Sequence, residues 1–393
     1  MTFLDKIKDN YQDWLRITPK NSLYDRGLFW LFIILLLVGV VAVSSASVAE
    51  VDKNPFFYTK RDLSYFLLSV ITFFVFLKVH TETWKKYHVY MFWIALFLLI
   101  IVLIPGIGSK VNGSRRWINL IYFNFQPAEF AKLALTCFLA GYFTRRYDEV
   151  RSRKLSAFKP LLVMGTMGVL LIQQPDLGST VVLFVITFCM LFIVGAHLFQ
   201  FLALIGIGGL LFGVLVVTSE YRWKRMTSFM DPFQDYLGDG YQLSQSLMAF
   251  GRGEFFGEGL GNSIQKLGAL PEPHTDFVLA IVGEEFGLIG IFVIIILLSL
   301  LIFKALSIGK NALLLEQRFK GFLAFGISFW IFFQGFVNLG MALGLLPTKG
   351  LTFPLISYGG SSLIIMSMAV SILLRIDYEN RQMTIGNAIL RDD

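Results

Sequence analysis

Charge is what this chain has least of. Asp, Glu, Lys and Arg make up 16% of its 393 residues, against about a quarter in a soluble domain, which excludes a chain folded behind one water-facing surface. Cysteine is almost missing. Cys137 and Cys189 each sit inside a long apolar run and read as small hydrophobes, so neither a disulfide framework nor a thiolate metal site is expected. The four histidines (His80, His88, His197, His274) do not cluster, which argues against zinc. No GxxxxGK(S/T) sequence occurs, so ATP hydrolysis is unsupported. Gly257-Glu258-Gly259-Leu260-Gly261 has no strand before it and is not a dinucleotide fingerprint. No small-residue cleavage pattern follows the first apolar run, so a cleavable signal peptide is not expected.

Apolar residues fill the space that charge leaves. They form 55% of the chain, with 40 Phe, and the mean hydropathy is +0.66. The solvent for most of this sequence is lipid. A spanning helix takes about 20 largely apolar residues, and ten segments qualify: 28–47, 63–80, 87–106, 126–144, 159–174, 177–195, 198–218, 277–304, 319–345 and 355–375. The expected fold class is therefore all-α, a polytopic bundle of about ten spans. A tail (1–27) precedes it, another (376–393) follows, and one long loop spans 219–276.

The net charge of +7 does not point to nucleic acid, because the basic residues fall between apolar runs. With the N-terminus inside, inner segments hold 21 of the 34 Lys and Arg, against 7 in outer segments other than the long loop. The positive-inside rule then gives N-in and C-in. Residues 3–15 set Phe3, Leu4, Ile7, Tyr11, Trp14 and Leu15 at helical spacing, which fits either a helix on the inner membrane surface or a frayed tail.

Ionisable groups inside spans are costly and are candidates for function. Glu129 and Lys132 share a helix face and can pair, either lining a cavity or locking two helices together. Asp176 sits at an outer turn, where capping the next helix is the simpler role. Glu284 and Glu285 lie two turns into the eighth span, and at least one is expected to face a polar cavity. On the outer side, Arg115-Arg116-Trp117 and Lys60-Arg61 suit either phosphate binding or anchoring at headgroup level. Asn112-Gly113-Ser114 also matches a glycosylation sequon. The long loop carries a helix-like stretch (Tyr241, Leu243, Leu247, Met248, Phe250) suited to the interface, a glycine-rich middle, and the end Leu270-Pro271-Glu272-Pro273-His274-Thr275-Asp276-Phe277. There Glu272, His274 and Asp276 meet the membrane surface. Such a carboxylate can be a general base, although on residue types alone a helix cap by Thr275 or Asp276 is the stronger reading.

Four motifs together resemble one family. They are Gln126-Pro127-Ala128-Glu129-Phe130-Ala131-Lys132, Gln174-Pro175-Asp176-Leu177-Gly178, the loop end 270–277, and Pro354-Leu355-Ile356-Ser357-Tyr358-Gly359-Gly360-Ser361-Ser362. In this order, across residues 28 to 380, they are similar to signatures of the SEDS (shape, elongation, division and sporulation) proteins. Leu346-Pro347-Thr348-Lys349-Gly350-Leu351-Thr352 looks like the division branch. Ser114, where alanine is usual, and Phe353, where leucine is common, are slight departures.

The resemblance implies a peptidoglycan glycosyltransferase of the bacterial inner membrane, acting on lipid II at the outer face of the division septum. The implied partners are a class B penicillin-binding protein and other membrane proteins of the division complex. The family's essential loop aspartate maps onto Asp276, and its intramembrane pair onto Glu129 and Lys132. Asp276 is then expected to act as base, or to position the acceptor directly or through a divalent cation such as Mg or Mn. Arg115, Arg116, Lys60 and Arg61 would bind pyrophosphate, with Glu272 and His274 beside them. The rival expectation is a lipid II flippase using Glu129, Lys132 and Asp176 as a polar path.

Overall fold

The computed structural model describes residues 24–48, 57–111, 114–120, 123–152, 156, 158–218, 220–238, 240–347 and 350–392. The surface helix expected over 3–15 lies outside the described residues, as do Asn112 and Gly113. Each apolar segment read from the sequence forms a helix: α1 (Arg26–Ser47), α2 (Phe57–Leu77), α3 (Thr81–Ile101), α4 (Pro127–Arg145), α6 (Phe158–Gln173), α7 (Leu177–Val194), α8 (Leu198–Val217), α11 (Val278–Leu314), α12 (Arg318–Ala342) and α13 (Gly360–Asp392). A short α5 (Tyr147–Ser152) follows α4, and the long loop contributes α9 (Glu220–Met230) and α10 (Tyr241–Gly253).

Among the described residues six helices are long and apolar enough to cross a membrane: α1, α3, α7, α11, α12 and α13. Charge keeps α2 and α4 below that mark, through Lys60, Arg61 and Asp62 in one and Glu129 and Lys132 in the other. The helices least suited to lipid are thus those that carry polar groups inward. α1 shows the general pattern. Leu28, Leu31, Phe32, Leu35, Leu36, Gly39, Ala42, Val43 and Ala46 recur at helical spacing and are buried, while Trp30, Ile34, Leu37 and Val41 on the other face are exposed. Both faces are apolar, as expected where the surroundings are lipid.

α4 sits at the centre, packed against α3, α7, α12 and α13. Pro127 occupies its first turn, where the missing N–H is no loss. Both described ends of the chain lie at one end of the bundle. Asp25 caps α1 through the Leu28 N–H (2.9 Å) and pairs with Lys304 (2.9 Å), while its own N–H donates to Asp377 (3.2 Å). Nearby, Glu379 binds Arg375 (2.8 Å) and Lys320 (3.1 Å). α13 therefore continues as a helix into the segment read as a tail, docked as far as Arg381, which pairs with Asp377 and Asp25.

Two local features interrupt the all-α bundle. Between α3 and α4 lies a three-stranded antiparallel sheet of β1 (Gly108–Val111), β2 (Ser114–Asn119) and β3 (Asn124–Phe125), with Val111 paired to Ser114. α11 is also broken at Gly287 (φ 65°, ψ −165°). There the backbone of the long loop pairs with the opened helix. The N–H groups of Glu258 and Gly259 donate to the carbonyls of Glu284 and Glu285 (3.0 and 2.9 Å), and those of Leu288 and Ile289 donate to Glu254 and Phe255 (2.9 and 3.2 Å). Opened helix backbone in an apolar bundle has to be satisfied by other protein groups, and the glycine-rich middle of the loop supplies them. A Cβ on Gly287 would stand 2.5 Å from Gly257 N and Phe255 O, so only glycine fits.

Candidate functional site

At the end of the bundle opposite the chain termini lies an open cavity of about 440 Å³, lined mainly by four segments, with Asn124, Gln126 and Gln242 at its edge. α2 contributes Tyr58, Arg61 and Tyr65, which share one helix face; β2 contributes Ser114, Arg116 and Trp117; the loop end contributes Glu272 to Phe277; and residues 350–362 close the circle. The volume lies within the usual range for a small-molecule site.

Asp276 is not a helix cap. The N-cap of α11 is Phe277, with no side-chain capping bond, and the Asp276 side chain lines the cavity instead. Two prolines shape the approach, with Glu272 held at φ 53°, a left-handed conformation rare for a residue with a side chain. Thr275 Oγ1 closes this turn by donating to Glu272 Oε2 (2.9 Å). A Cβ built on Gly350 would lie 3.4 Å from Asp276 Oδ2 and 3.2 Å from Arg116 Nη1. Carboxylate and guanidinium therefore converge on the bare Gly350 backbone.

The paired cations divide, for geometric reasons. Successive strand residues point to opposite faces. Arg116 faces the cavity and also donates to the carbonyls of Gln174 (Nε, 3.2 Å) and Pro175, whereas Arg115 turns away to the Leu103 carbonyl (3.3 Å). On α2, Arg61 lines the cavity and donates to Tyr65 Oη (3.0 Å), while Lys60 is exposed outside it. Of the four cations, Arg61 and Arg116 line the cavity and Lys60 and Arg115 do not. His274 lies in the wall against Tyr58 (ring centroids 4.4 Å) and Tyr358 (5.1 Å).

Glu129 and Lys132 form a buried ion pair (2.8 Å) that does not itself line the cavity. Lys132 Nζ also donates to Gln334 Oε1 (2.7 Å), which accepts from Trp330 Nε1 too (2.8 Å). Gln334 Nε2 donates to the Thr352 carbonyl (3.0 Å), and Thr352 Oγ1 shares a hydrogen with Ser362 (2.9 Å). Thr352 and Ser362 line the cavity. The pair thus supports the site wall through one glutamine.

Asp176 caps α7 by accepting from the Ser179 N–H (3.1 Å) and hydroxyl (2.8 Å). Neither Glu284 nor Glu285 faces the cavity. Glu284 accepts from Arg252 (3.1 Å), the Ile264 N–H (2.9 Å) and Ser263, while Glu285 pairs with Lys266 (2.6 Å) and accepts from Ser45 (2.7 Å). Their polar surroundings are the folded long loop, which they hold against α11. α10 likewise packs on α11 and α12, with Leu243 and Ala249 buried. Sequence reasoning did not single out Tyr58, Tyr65, Gln334 or Asn338. The spacing of Tyr58, Arg61 and Tyr65 on one face of α2 was the available signal.

Among the described residues no three His, Cys, Asp or Glu side chains gather as a metal site. Magnesium is commonly held by one or two carboxylates plus substrate phosphates, so the donor set fits a cation only as one shared between Asp276 and a bound diphosphate.

Comparison with known proteins accords with this geometry. The family model described as "Cell cycle protein", which groups FtsW, RodA and SpoVE, matches residues 26–382. A protein of Pasteurella multocida named "Probable peptidoglycan glycosyltransferase FtsW" is 69% identical over the whole of both chains. One of the same name from Haemophilus influenzae is 62% identical, also over the full length of both. Among solved structures, a chain from a peptidoglycan synthase complex that coordinates polymerization and crosslinking superposes with TM-score 0.76 at 27% identity, covering 91% of this chain and 98% of that one. Thermus thermophilus rod shape determining protein RodA gives 0.68 at 26%, covering 92% and 99%. The chain belongs to the FtsW, RodA and SpoVE family of cell cycle proteins, which the sequence motifs had marked as SEDS proteins.

Proposed function

We propose that this protein is a peptidoglycan glycosyltransferase that polymerises lipid II at the outer face of the bacterial inner membrane during septal wall synthesis. The observation that carries this is the convergence of Asp276 and Arg116 on Gly350 inside one cavity. The donor's anomeric carbon leaves undecaprenyl pyrophosphate as the acceptor's sugar hydroxyl attacks it. An α-linked pyrophosphate gives a β-1,4 bond, so one displacement with one base is enough. Asp276 takes the hydroxyl proton, while Arg116 and Arg61 receive the charge that builds on the departing pyrophosphate. A divalent cation, where used, would neutralise part of that charge beside Asp276.

The orientation that puts this cavity outside follows from the basic residues, with both chain ends inside. A class B penicillin-binding protein is the partner that would crosslink the product, alongside other division-complex membrane proteins. The flippase alternative needs an open polar path through Glu129, Lys132 and Asp176. It is disfavoured because Lys132 is enclosed by Glu129, Gln334 and Trp330, and Asp176 is spent on a cap. The test is polymer formation from lipid II by the purified full-length protein, with its partner present. Translocation of labelled lipid II with no polymer formed would reverse the assignment.

A further inference from the structure

α12 presents two carboxamides one turn apart, Gln334 and Asn338, both fully buried. The first holds the Thr352 segment to Lys132. The second spends both amide hydrogens on two different stretches of chain. Asn338 Nδ2 donates to the carbonyl of Leu351 (2.6 Å) and to the carbonyl of Asp276 (2.9 Å). These stretches are the loop end that carries Asp276 and the segment that carries Gly350 and Thr352, so one side chain fixes the two walls of the cavity against each other.

The Oδ1 atom of Asn338 is buried and has no hydrogen-bond partner among the described residues. That unmatched oxygen is destabilising. What the amide provides in return is a pair of donors aimed at the backbone around the reacting carboxylate, and a leucine there would leave the carbonyls of Leu351 and Asp276 without them.

We propose that Asn338 is a positioning residue for glycosyl transfer, setting the reach of the Asp276 carboxylate toward the acceptor hydroxyl by pinning the Asp276 peptide to Leu351. This rests on Asp276 being the base. Asn338 is buried behind the cavity wall and does not line it, so its loss acts on the chemical step rather than on binding, and misplacement by about 1 Å costs on the order of 100-fold.

The experiment is steady-state lipid II polymerisation by the full-length protein with its transpeptidase partner, measured for Asn338→Leu, which has no donor, Asn338→Ser, which has one, and Ser328→Ala. Ser328 lies on the same helix and, among the described residues, bonds within it, to the Ala324 carbonyl. Asn338→Leu is expected to lose about 100-fold in kcat with KM within about twofold, Asn338→Ser to fall between it and the parent, and Ser328→Ala to match the parent. A parental kcat in Asn338→Leu, or a change confined to KM, overturns the proposal. If Asn338→Leu does not elute as a folded species, Asn338→Ser decides by the same split between kcat and KM. Asp276→Asn in the same assay separates the two ideas. If it is inactive while the Asn338 variants are fully active, only the positioning role falls; if it is active, the assignment of the base falls.

Discussion

Replacing Lys132 by methionine leaves a carboxylate alone in the middle of the bundle. Lys132 is fully buried and Glu129 nearly so, and Glu129 Oε2 already lacks a hydrogen-bond partner among the described residues. Removing one member of a buried pair costs about 3–5 kcal/mol, whereas replacing both by uncharged groups is often near neutral. Lys132→Met is therefore expected to destabilise by about 3–5 kcal/mol. Glu129→Gln with Lys132→Met is expected to recover most of that, short of about 1 kcal/mol for the lost bond to Gln334. The double variant should thus be more stable than the single one, the reverse of additivity. Its activity is expected to stay low, because Gln334 no longer joins the Thr352 wall to a fixed cation. The assay is equilibrium unfolding in detergent micelles followed by tryptophan fluorescence, read on both variants and on Glu129→Gln alone. Equal losses in the single and double variants would refute the pairing argument.

Other expectations follow from the same contacts. Gly287→Val forces a side chain into the gap filled by Phe255 and Gly257, so limited proteolysis should cut within 254–268 while circular dichroism keeps its helical signal; unchanged protection would contradict the clamp. Arg116→Gln should lower kcat/KM for lipid II about tenfold, the size of one charge-assisted bond, and Arg115→Gln by less than about twofold; equal effects would mean the strand face is misread. Asp25 carries a pH prediction. Burial raises its pKa, but hydrogen bonds from Lys304 and the Leu28 N–H, with the charges of Lys304 and Arg381, outweigh that and hold it below its ordinary 3.8. A carboxyl depressed on folding stabilises fully above its unfolded value and loses that as pH falls through the folded one. Asp25→Asn should therefore flatten the acid limb of unfolding below pH 3.8; an unchanged limb assigns the acid sensitivity elsewhere.

Much of the bundle was legible because lipid leaves a blunt signature, runs of apolar residues interrupted by charge. Ten helices begin and end near those interruptions, and α11 and α13 outlast the apolar runs because ion pairs and packing hold their polar ends. The small sheet lies outside the helical expectation, although Asn112-Gly113, between the paired Val111 and Ser114, is a strong hairpin signal as well as part of a glycosylation sequon. The site was half legible. Asp276, Arg116 and Arg61 stood out as polar groups at the outer surface, but which of two adjacent arginines turns inward depends on strand phase, and that required the sheet. Gln334 and Asn338 gave no sign, since a lone amide in an apolar helix shows its purpose only when the segments it bonds, 62 and 13 residues away for Asn338, have been brought beside it. Of the loop glycines, Gly253 and Gly257 are explained by the α11 backbone they lie against, from Gly283 to Gly287, where a Cβ would clash.

The most direct measurement is polymerisation of purified lipid II by the full-length protein and its partner, comparing the parent with Asp276→Asn. The substitution keeps the side chain's size and its place beside Gly350 and Arg116 but removes its capacity to take a proton. Glycan strands from the parent and none from an Asp276→Asn protein that elutes and melts like the parent are the predicted result. Glycan strands of normal length and amount from Asp276→Asn would contradict the account.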